Sequence, residues 1–466
     1  MGERTCGGRT PSRAIPDLRS GGHRKPTRRW EGQPLPSAAV STPAFSAPIG
    51  TRDVLAPESA RWIALLATFG EIAQRYGYGM IHTPMFEDLG VFQRMGATTD
   101  VVTKEMYDFE DKGGRRIALR PEGTASVVRA FVEHRPLVPW KAWYVTPAFR
   151  YEKPQKGRYR QHHQVGIEVL GVDDPDVDVE VIALAERYLR TLGASRYLLI
   201  INSMGDAEDR ANYMEILRAY LADVRDQLAE EDREKVERNP MRVLDSKRRE
   251  TMQATADAPR ISDVLSAESV DRFERVQAGL RALDIEFAID QRLVRGLDYY
   301  THTLFEFQST ALDAAQSTII GGGRYNGLVE ALGGPETPGI GFGSGIERVL
   351  LHLDAEEAFP TPDTGVDVFV IDTTGGHHAR DIAEALRDRG LSADRAWDGR
   401  SMRAQMKAAD RSGAELAVIV GADEAKAGHA TVRDLRGDRG QRSVARPDLV
   451  DEVAALLAPD PQVETP

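Results

Sequence analysis

The sequence predicts a protein of mixed α/β class in two parts: a large α+β domain carrying a helical insertion, then a smaller α/β domain. Three observations predict it. At 466 residues the chain is too long for one ordinary core and asks for two or three domains. FPTPDTG at Phe359–Gly365 sets two prolines between two patterned stretches, which is linker composition. Beyond it, apolar runs alternate with helical patterns as β-α-β units, which implies a mostly parallel sheet flanked by helices.

Composition narrows the class further. Apolar content of 41% and charged content of 28% are ordinary for a soluble globular protein. No apolar run approaches the roughly eighteen residues needed to span a bilayer. The single cysteine, Cys6, excludes internal disulfides and a cysteine-built zinc site, so a reducing cytoplasm is the default compartment. A net charge of −12 argues against nucleic-acid binding through global basicity. It leaves room for a local basic patch, because charges are screened beyond about 8–10 Å.

Residues 1–44 carry Pro, Gly, Ser and Arg without apolar periodicity, and eight Lys/Arg stand against three acids. No apolar stretch follows the charges, so a signal peptide is not expected. Two readings stand: a disordered basic arm, or an extension from an upstream start, since the next methionine is Met80, inside the fold. From Pro57 onward, Trp62, Leu65, Leu66, Phe69, Ile72, Ala73 and Tyr76 fall at helical spacing, and Gly77 ends the pattern. MIHTPMFEDLGVF then carries Pro84 in an extended segment. In LRPEGTASVVRAFVEH, Pro121 disfavours helix at Arg120, while Thr124 starts a helix with Val127, Val128 and Phe131 inward. Glu122 and Thr124 therefore sit at a strand-to-helix junction. There a carboxylate can meet an ammonium group, or Thr can cap the helix beside a surface Glu.

FRYEKPQKGRYRQHHQVGIEVLG, Phe149 to Gly171, reads as a strand ending in Arg150, a basic loop, and a second strand. Side chains alternate along a strand, so Gln164, Gly166 and Glu168 share one face: an amide, a gap and a carboxylate. The loop holds Lys153, Lys156, Arg158 and Arg160, with Glu152 its nearby acid. Guanidinium groups beside a polar pocket suit a phosphate-bearing ligand. A solvated hairpin tip accounts for the loop alone, but a surface strand needs no Gln-x-Gly-x-Glu face. His162 and His163 are adjacent, so a strand points them apart. They make a poor metal pair and read as structural or loop residues.

Residues from about 205 to 283 mix charges densely and read as an inserted helical module with solvated faces. LVRGLDYYTHTLFEF, from Leu293, reads as two strands or one bent strand. Tyr299 and Tyr300 then point to opposite faces, and Gly296 lets the backbone beside Arg295 bend. GGGRYNGL at Gly321 and GIGFGSGIERVLLHL at Gly339 are glycine-rich, yet neither gives G-x-G-x-x-G and no Gly-Lys pair occurs, so a Walker loop is absent. Each interior strand glycine costs about 0.5–1 kcal/mol. Glycines at 339, 341, 343 and 345 thus suggest a backbone that a flat ligand approaches. The helix beginning near Ile346 presents Arg348.

After the linker, Val366–Ile371, a helix around Ile382 and Leu386, a helix around Met402, Leu416–Gly421, the strand TVRDL and a helix from Pro447 to Leu457 complete the second domain. Arg395, Arg400, Arg403 and Lys407 form a basic face there or a solvated surface.

Three of these segments carry a family resemblance. The Phe149–Gly171 segment resembles the second signature of class II aminoacyl-tRNA synthetases in its histidyl-tRNA synthetase form. LVRGLDYYTHTLFEF resembles that family's histidine motif, and GIGFGSGIERVLLHL the third class II signature. The resemblance is strong from about Phe45 to Leu353 and weaker beyond. It implies an antiparallel class II sheet at 45–358 with flanking helices and an insertion at about 205–283. It also implies a linker at 359–365 and an anticodon-binding α/β domain at 366–466, after a tail at 1–44. MIHTPMFEDLGVF would be the degenerate first signature, which builds a homodimer interface, and the insertion would reach toward a tRNA acceptor stem or serve as inert packing.

By resemblance, Glu122, Gly123 and Thr124 hold the α-amino group of L-histidine. Glu168 accepts an imidazole N–H, Gln164 holds polar groups of the substrate, and Tyr299, Tyr300 and Tyr325 line the ring. Arg295 and Arg150 are the catalytic residues, meeting the α-phosphate of ATP and, for Arg295, the histidine carboxylate. Glu152, Arg158 and Arg348 serve the rest of ATP, with Mg²⁺ shared by the pyrophosphate oxygens and no protein metal ligand assigned. Adenine would lie against the glycine strand. The resemblance implies a cytoplasmic histidine–tRNA ligase acting on tRNA(His), with no membrane partner. Family members often carry an aromatic residue where this chain has His162. A rival reading, the synthetase-like regulatory subunit of ATP phosphoribosyltransferase, typically lacks the motif arginine or the C-terminal domain, and both are present here. A pure RNA-binding module that kept the fold is opposed by the intact arginine set.

Overall fold

The computed structural model describes residues 45–95, 101–294, 299–313 and 317–458. The chain divides into two compact units, which meet in sequence between Pro362 and Asp363.

The larger unit is organised by its strands: β1 Gly79–Met80, β2 Phe86–Asp88, β3 Tyr107–Glu110, β4 Arg116–Leu119, β5 Trp140–Phe149, β6 Gln161–Leu170, β7 Tyr197–Ser203, β8 Ala288–Ile289, β9 Thr301–Ser309, β10 Thr318–Arg324 and β11 Gly339–Gly345. Eight of them form one sheet in the order β1-β5-β6-β11-β10-β9-β7-β8. The six central strands pair antiparallel, and the two-residue outer strands β1 and β8 pair parallel. β2, β4 and β3 form a small antiparallel sheet.

Alternation along the strands separates two faces. Trp143, Val145, Val165, Ile167, Val169, Phe305, Phe307, Ile340 and Phe342 point into the main core. Helices Glu58–Arg75, Pro175–Thr191, Ala267–Ala282 and Ile346–Ala355 supply its other side. The opposite face is poor in bulk, because register aligns Gly166 with Gly343 and Gly343's strand with Gly321. Arg324 leaves β10 on the core side, where its guanidinium is fully buried against Asp178 and Val172 O. That pair ties the sheet to the start of helix Pro175–Thr191.

The charged stretch after Ser203 builds its own core from Tyr213, Leu217, Leu221, Leu228, Val236 and Val243, joined by Leu293 and Leu304. Its charges are not all solvated. Asp232 is fully buried and accepts from Lys235 Nζ (2.7 Å), Thr251 Oγ1 (2.8 Å) and Arg248 Nη1 (3.0 Å), as a buried carboxylate requires. Helix Ala267–Ala282 packs into the main core instead, Gly279 leaving room for Val179.

The smaller unit contains β12 Val368–Asp372, β13 Ala393–Arg395, β14 Leu416–Val420, β15 His429–Asp434 and β16 Gln441–Ala445 in the order β13-β12-β14-β15-β16. The expectation of a mostly parallel sheet needs correction. β12 pairs parallel with β13 and β14, whereas β14–β15 and β15–β16 are antiparallel. Only the first half has helical crossovers; β15 follows β14 through the short helix Ala422–Ala427, and the turn at Gly440 makes a hairpin.

No helix among the described residues is long and apolar enough to cross a membrane.

Candidate active site

The junction Arg120–Thr124 is built around two buried side chains. Arg120 donates from Nη1 to Thr83 O, Thr83 Oγ1 and Pro84 O, and from Nε to Pro147 O, clamping the junction to the end of β5. Glu122, 4% exposed, accepts the backbone N–H groups of Thr124 and Ala125, both at 2.7 Å. It therefore caps helix Thr124–His134 itself, satisfying donors that a helix start leaves open. The alternative of a surface Glu beside a capping Thr is corrected. Burial raises the Glu122 carboxyl, against the pull of those two N–H groups.

Thr124 is thereby free to point its hydroxyl elsewhere. Its Oγ1 donates to Glu168 Oε1 at 2.8 Å. Tyr144 reaches the same oxygen at 3.3 Å, and Tyr325 donates to Oε2 at 2.6 Å. Glu168 is fully buried, and burial pushes its carboxyl up to about 8 although these hydroxyls favour the charge. A carboxylate has about four acceptor positions, and three are used here. Among the described residues one is left, for the carboxyl's own proton or for a ligand donor that displaces it.

Glycines make this packing possible. A Cβ on Gly123 or on Gly166 would lie 2.4 Å from the Tyr144 ring. One on Gly341 would lie 1.9 Å from Glu168 Oε2, and one on Gly339 2.2 Å from Tyr325. The first two glycines of the β11 row thus admit the protein's own side chains. The reading of the whole row as a ligand surface is corrected to its second half. Among the described residues nothing would lie closer than 3.6 Å to a Cβ on Gly343 or Gly345, and Gln164, which pairs with Gly345, stands beside them. Gln164 Oε1 is buried without a hydrogen-bond partner among the described residues. An orphaned buried amide oxygen at the edge of an open glycine floor is the mark of a ligand site.

Tyr299 and Tyr300 precede β9, so strand alternation does not apply to them. Their rings pack together, centroids 4.7 Å apart, and Tyr299 also meets Tyr325 edge-on at 5.9 Å. The expectation that they face opposite sides is corrected. Arg295, predicted as the principal catalytic cation, lies outside the described residues, as do 1–44.

The cations gather at the other end. Arg150 Nε donates to Pro121 O at 2.9 Å, placing its guanidinium near Glu122. Arg348 Nη1 donates to Thr318 O at 3.1 Å. In the hairpin loop Arg158 pairs with Glu152 at 2.8 Å, and Arg160 stacks on Tyr151. Lys153 and Lys156 are exposed.

Sequence reasoning missed several residues here. His162, read from the sequence as a structural or loop residue, shares the face of Gln164 and Glu168. Burial, then charge at Arg150, His163 and Arg348, pushes its imidazole down to about 3, leaving a neutral ring. Its parity with Gln164 was the available signal. His163 points to the helical side, edge-on to Trp62, with Nδ1 3.0 Å from Glu347 Oε1. The Glu347 carboxylate also accepts the His163 backbone N–H, so β6 and the start of helix Ile346–Ala355 are pinned together. Glu306, on β9 opposite Gly321, is a buried carboxylate bridged by Thr318 Oγ1 and Gln308 Nε2, both at 2.9 Å. Arg120 had no signal at all, because a loop arginine reads as surface. Among the described residues no three His, Cys, Asp or Glu gather as a metal cage.

An antiparallel sheet with a glycine floor, a carboxylate pocket at one end and arginines at the other is the arrangement of a class II aminoacyl-tRNA synthetase. The family model described as histidyl-tRNA synthetase matches residues 50–349, and one described as an anticodon binding domain matches residues 366–456. The chain is 47% identical to the histidine–tRNA ligase of Geobacillus kaustophilus (strain HTA426) over 84% of its own length and 94% of that protein's. It is 46% identical to that of Limosilactobacillus fermentum over 82% and 91%. The apo histidyl-tRNA synthetase of S. aureus superposes with a TM-score of 0.75 at 36% identity, covering 88% of this chain and 99% of that one. This chain belongs to the histidyl-tRNA synthetase family.

Proposed function

We propose that this chain is a cytoplasmic histidine–tRNA ligase, and we assign its residues as follows. A histidine carboxylate oxygen attacks the α-phosphorus of ATP, pyrophosphate leaves, and histidyl-adenylate forms. The 3′-terminal ribose hydroxyl of tRNA(His) then attacks the carbonyl carbon, and AMP leaves. No side chain needs to become covalently attached; the protein positions reactants and compensates charge.

The carrying observation is Glu168, buried among three hydroxyls with one acceptor position left. That position takes an imidazole N–H. Glu122 and Thr124 meet the α-ammonium, since each Glu122 oxygen keeps a second lone pair. Gln164 offers its unpartnered oxygen beside the glycine floor. Tyr299, Tyr300 and Tyr325 close the ring pocket. A pocket of this kind disfavours substrates lacking the N–H by about 10⁴-fold.

Arg150 and Arg295 are assigned to the α-phosphate, Arg348 and Arg158 to the outer phosphates, and the flat neutral ring of His162 suits the purine side. Mg²⁺ usually takes one or two carboxylates besides phosphate oxygens and water. Glu306 fits that need as a buried carboxylate on the glycine face, and Mg²⁺ held there would offset the negative charge of the phosphates. A homodimer is supported by the exposed Met80, Met85 and Phe86 around β1 and β2.

Histidine-dependent ATP–pyrophosphate exchange on the purified protein tests the reading. Exchange that requires histidine supports it. Absent exchange with retained tRNA binding would favour a synthetase-like binding protein.

A further inference from the structure

The glycine floor has a further polar wall on β5. Trp143 and Val145 point into the main core, so alternation along β5 sends Tyr144 and Thr146 to the opposite face, beside the floor. Register sets Thr146 across from Gln164, and Gln164 across from Gly345. Thr146 is 2% exposed, and its Oγ1 is buried without a hydrogen-bond partner among the described residues. Gln164 Oε1, one strand away in the same row, is orphaned in the same way. Buried polar atoms are nearly always paired, so two orphans side by side on a ligand face mark the contact point of one ligand group.

The nature of that group follows from what crosses above. Arg150 Nε donates to Pro121 O at 2.9 Å, and a Cβ on Gly123 would lie 2.4 Å from the Tyr144 ring. Thr146 lies between those two contacts along the chain, so the stretch carrying Glu122 passes over it. A carboxylate and an amide oxygen only accept, and a hydroxyl accepts as readily as it donates. An anionic oxygen here would meet acceptor on acceptor. An ammonium carries three N–H donors and no acceptor. Glu122 and Thr124 take two of them in the reading above, which leaves the third for the paired oxygens of Gln164 and Thr146. One protein donor competes for the hydroxyl. Arg120 Nη2 is also buried and unpartnered, and Arg120 Nε holds the neighbouring Pro147 O. Its Nη1 is fixed on Thr83 and Pro84, which keeps Nη2 out of hydrogen-bond reach of Thr146.

We infer that Thr146 is a further substrate-binding residue, whose hydroxyl oxygen shares with Gln164 Oε1 the third N–H of the histidine α-ammonium. The inference deepens the histidine reading above and rests on it. It makes the niche selective for a primary amine, because every donor of the ammonium then meets a protein oxygen.

The test measures, on the full chain, the affinity for L-histidine and for 3-(imidazol-4-yl)propanoate, which is histidine without its amino group. Thr146→Val keeps the shape and removes the hydroxyl. It should weaken L-histidine about 10- to 50-fold and leave the des-amino acid within about twofold of the parent. Thr146→Ser, which restores the hydroxyl, should bind L-histidine within about threefold of the parent. The KM for ATP in pyrophosphate exchange should not move in either variant. Should Thr146→Val fail to fold, Thr146→Ala carries the same measurements. Equal L-histidine affinity in the parent and Thr146→Val would overturn the inference. So would an equal loss for both ligands, which would place the hydroxyl at the carboxylate or the ring. A lower melting temperature with unchanged histidine affinity would overturn it too, and would assign the hydroxyl to Arg120. Normal histidine binding without exchange in the parent would sink the ligase reading alone, since the affinities read the niche independently. A parent that binds no histidine would sink both.

Discussion

At Glu168 a fully buried carboxylate is enclosed by three hydroxyls, whereas Arg150 and Arg348, at the other end of the glycine floor, are half-exposed and lean on backbone carbonyls. The closed end suits recognition of a small polar ring, because a buried acceptor left unpaired is costly and a wrong substrate cannot pair it. The open end suits a polyanion, whose charge is met by cations that water can still reach. On the proposed reading, selectivity belongs to the first and rate to the second.

That division can be broken by substitution. The largest effect is expected for Arg150→Ala, which should lower the exchange rate about 10²–10³-fold while leaving the histidine concentration dependence nearly unchanged. A defect confined to histidine KM would erase the division. Glu168→Ala should act the other way, raising histidine KM about 100-fold with little effect on ATP KM. It should also destabilise the fold by about 1–3 kcal/mol, since the Tyr325 and Thr124 hydroxyls lose their acceptor. Equal losses for both substrates would make Glu168 a structural residue only.

The two ends should also respond oppositely to pH. Glu168 titrates at about 8 when folded against 4.5 ordinarily, so the native state holds the extra proton and stability falls as pH rises through that window. His162 titrates at about 3 against 6.5, so the unfolded state holds the extra proton and stability falls as pH drops through its window. The contributions oppose each other where the windows overlap. Glu168→Gln should flatten the limb between 6.5 and 8, and His162→Gln the acid limb below 4.5, in melting curves taken across pH. Unchanged limbs would mean that solvent reaches these groups.

The smallest effect concerns the link behind the floor. His163→Ala removes the ring bond to Glu347, next to Arg348, and should raise ATP KM up to about tenfold without moving histidine KM. His163→Asn, which keeps a donor, should recover most of it. A parallel rise in both KM values would assign His163 to general packing.

Much of this site was legible because a strand has a period of two. Gln164, Gly166 and Glu168 needed only parity to be placed on one face, and the same rule, applied one step further, would have added His162. The linker and the first β-α-β unit were legible from prolines and apolar runs. Other features depend on neighbours that no local pattern announces. Whether Gly341 faces a ligand or Glu168 is decided by the register of β11 against β6. Tyr299 and Tyr300 fell together because β9 begins only at Thr301. The antiparallel half of the smaller sheet was hidden because β16 reads Gln-Arg-Ser-Val-Ala and is mostly exposed.

The vacancy at Gly341 also bears on redesign. The carboxylate that faces the proposed imidazole is placed by a side chain missing from the neighbouring strand, since any Cβ there would fall 1.9 Å from Glu168 Oε2. A library that varies the residues around the pocket but keeps β11 intact will sample new shapes around a fixed acceptor. A library that admits even alanine at Gly341 displaces the acceptor itself. Evolving this scaffold toward another amino acid is therefore a backbone problem before it is a side-chain problem, and β11 is the place to begin.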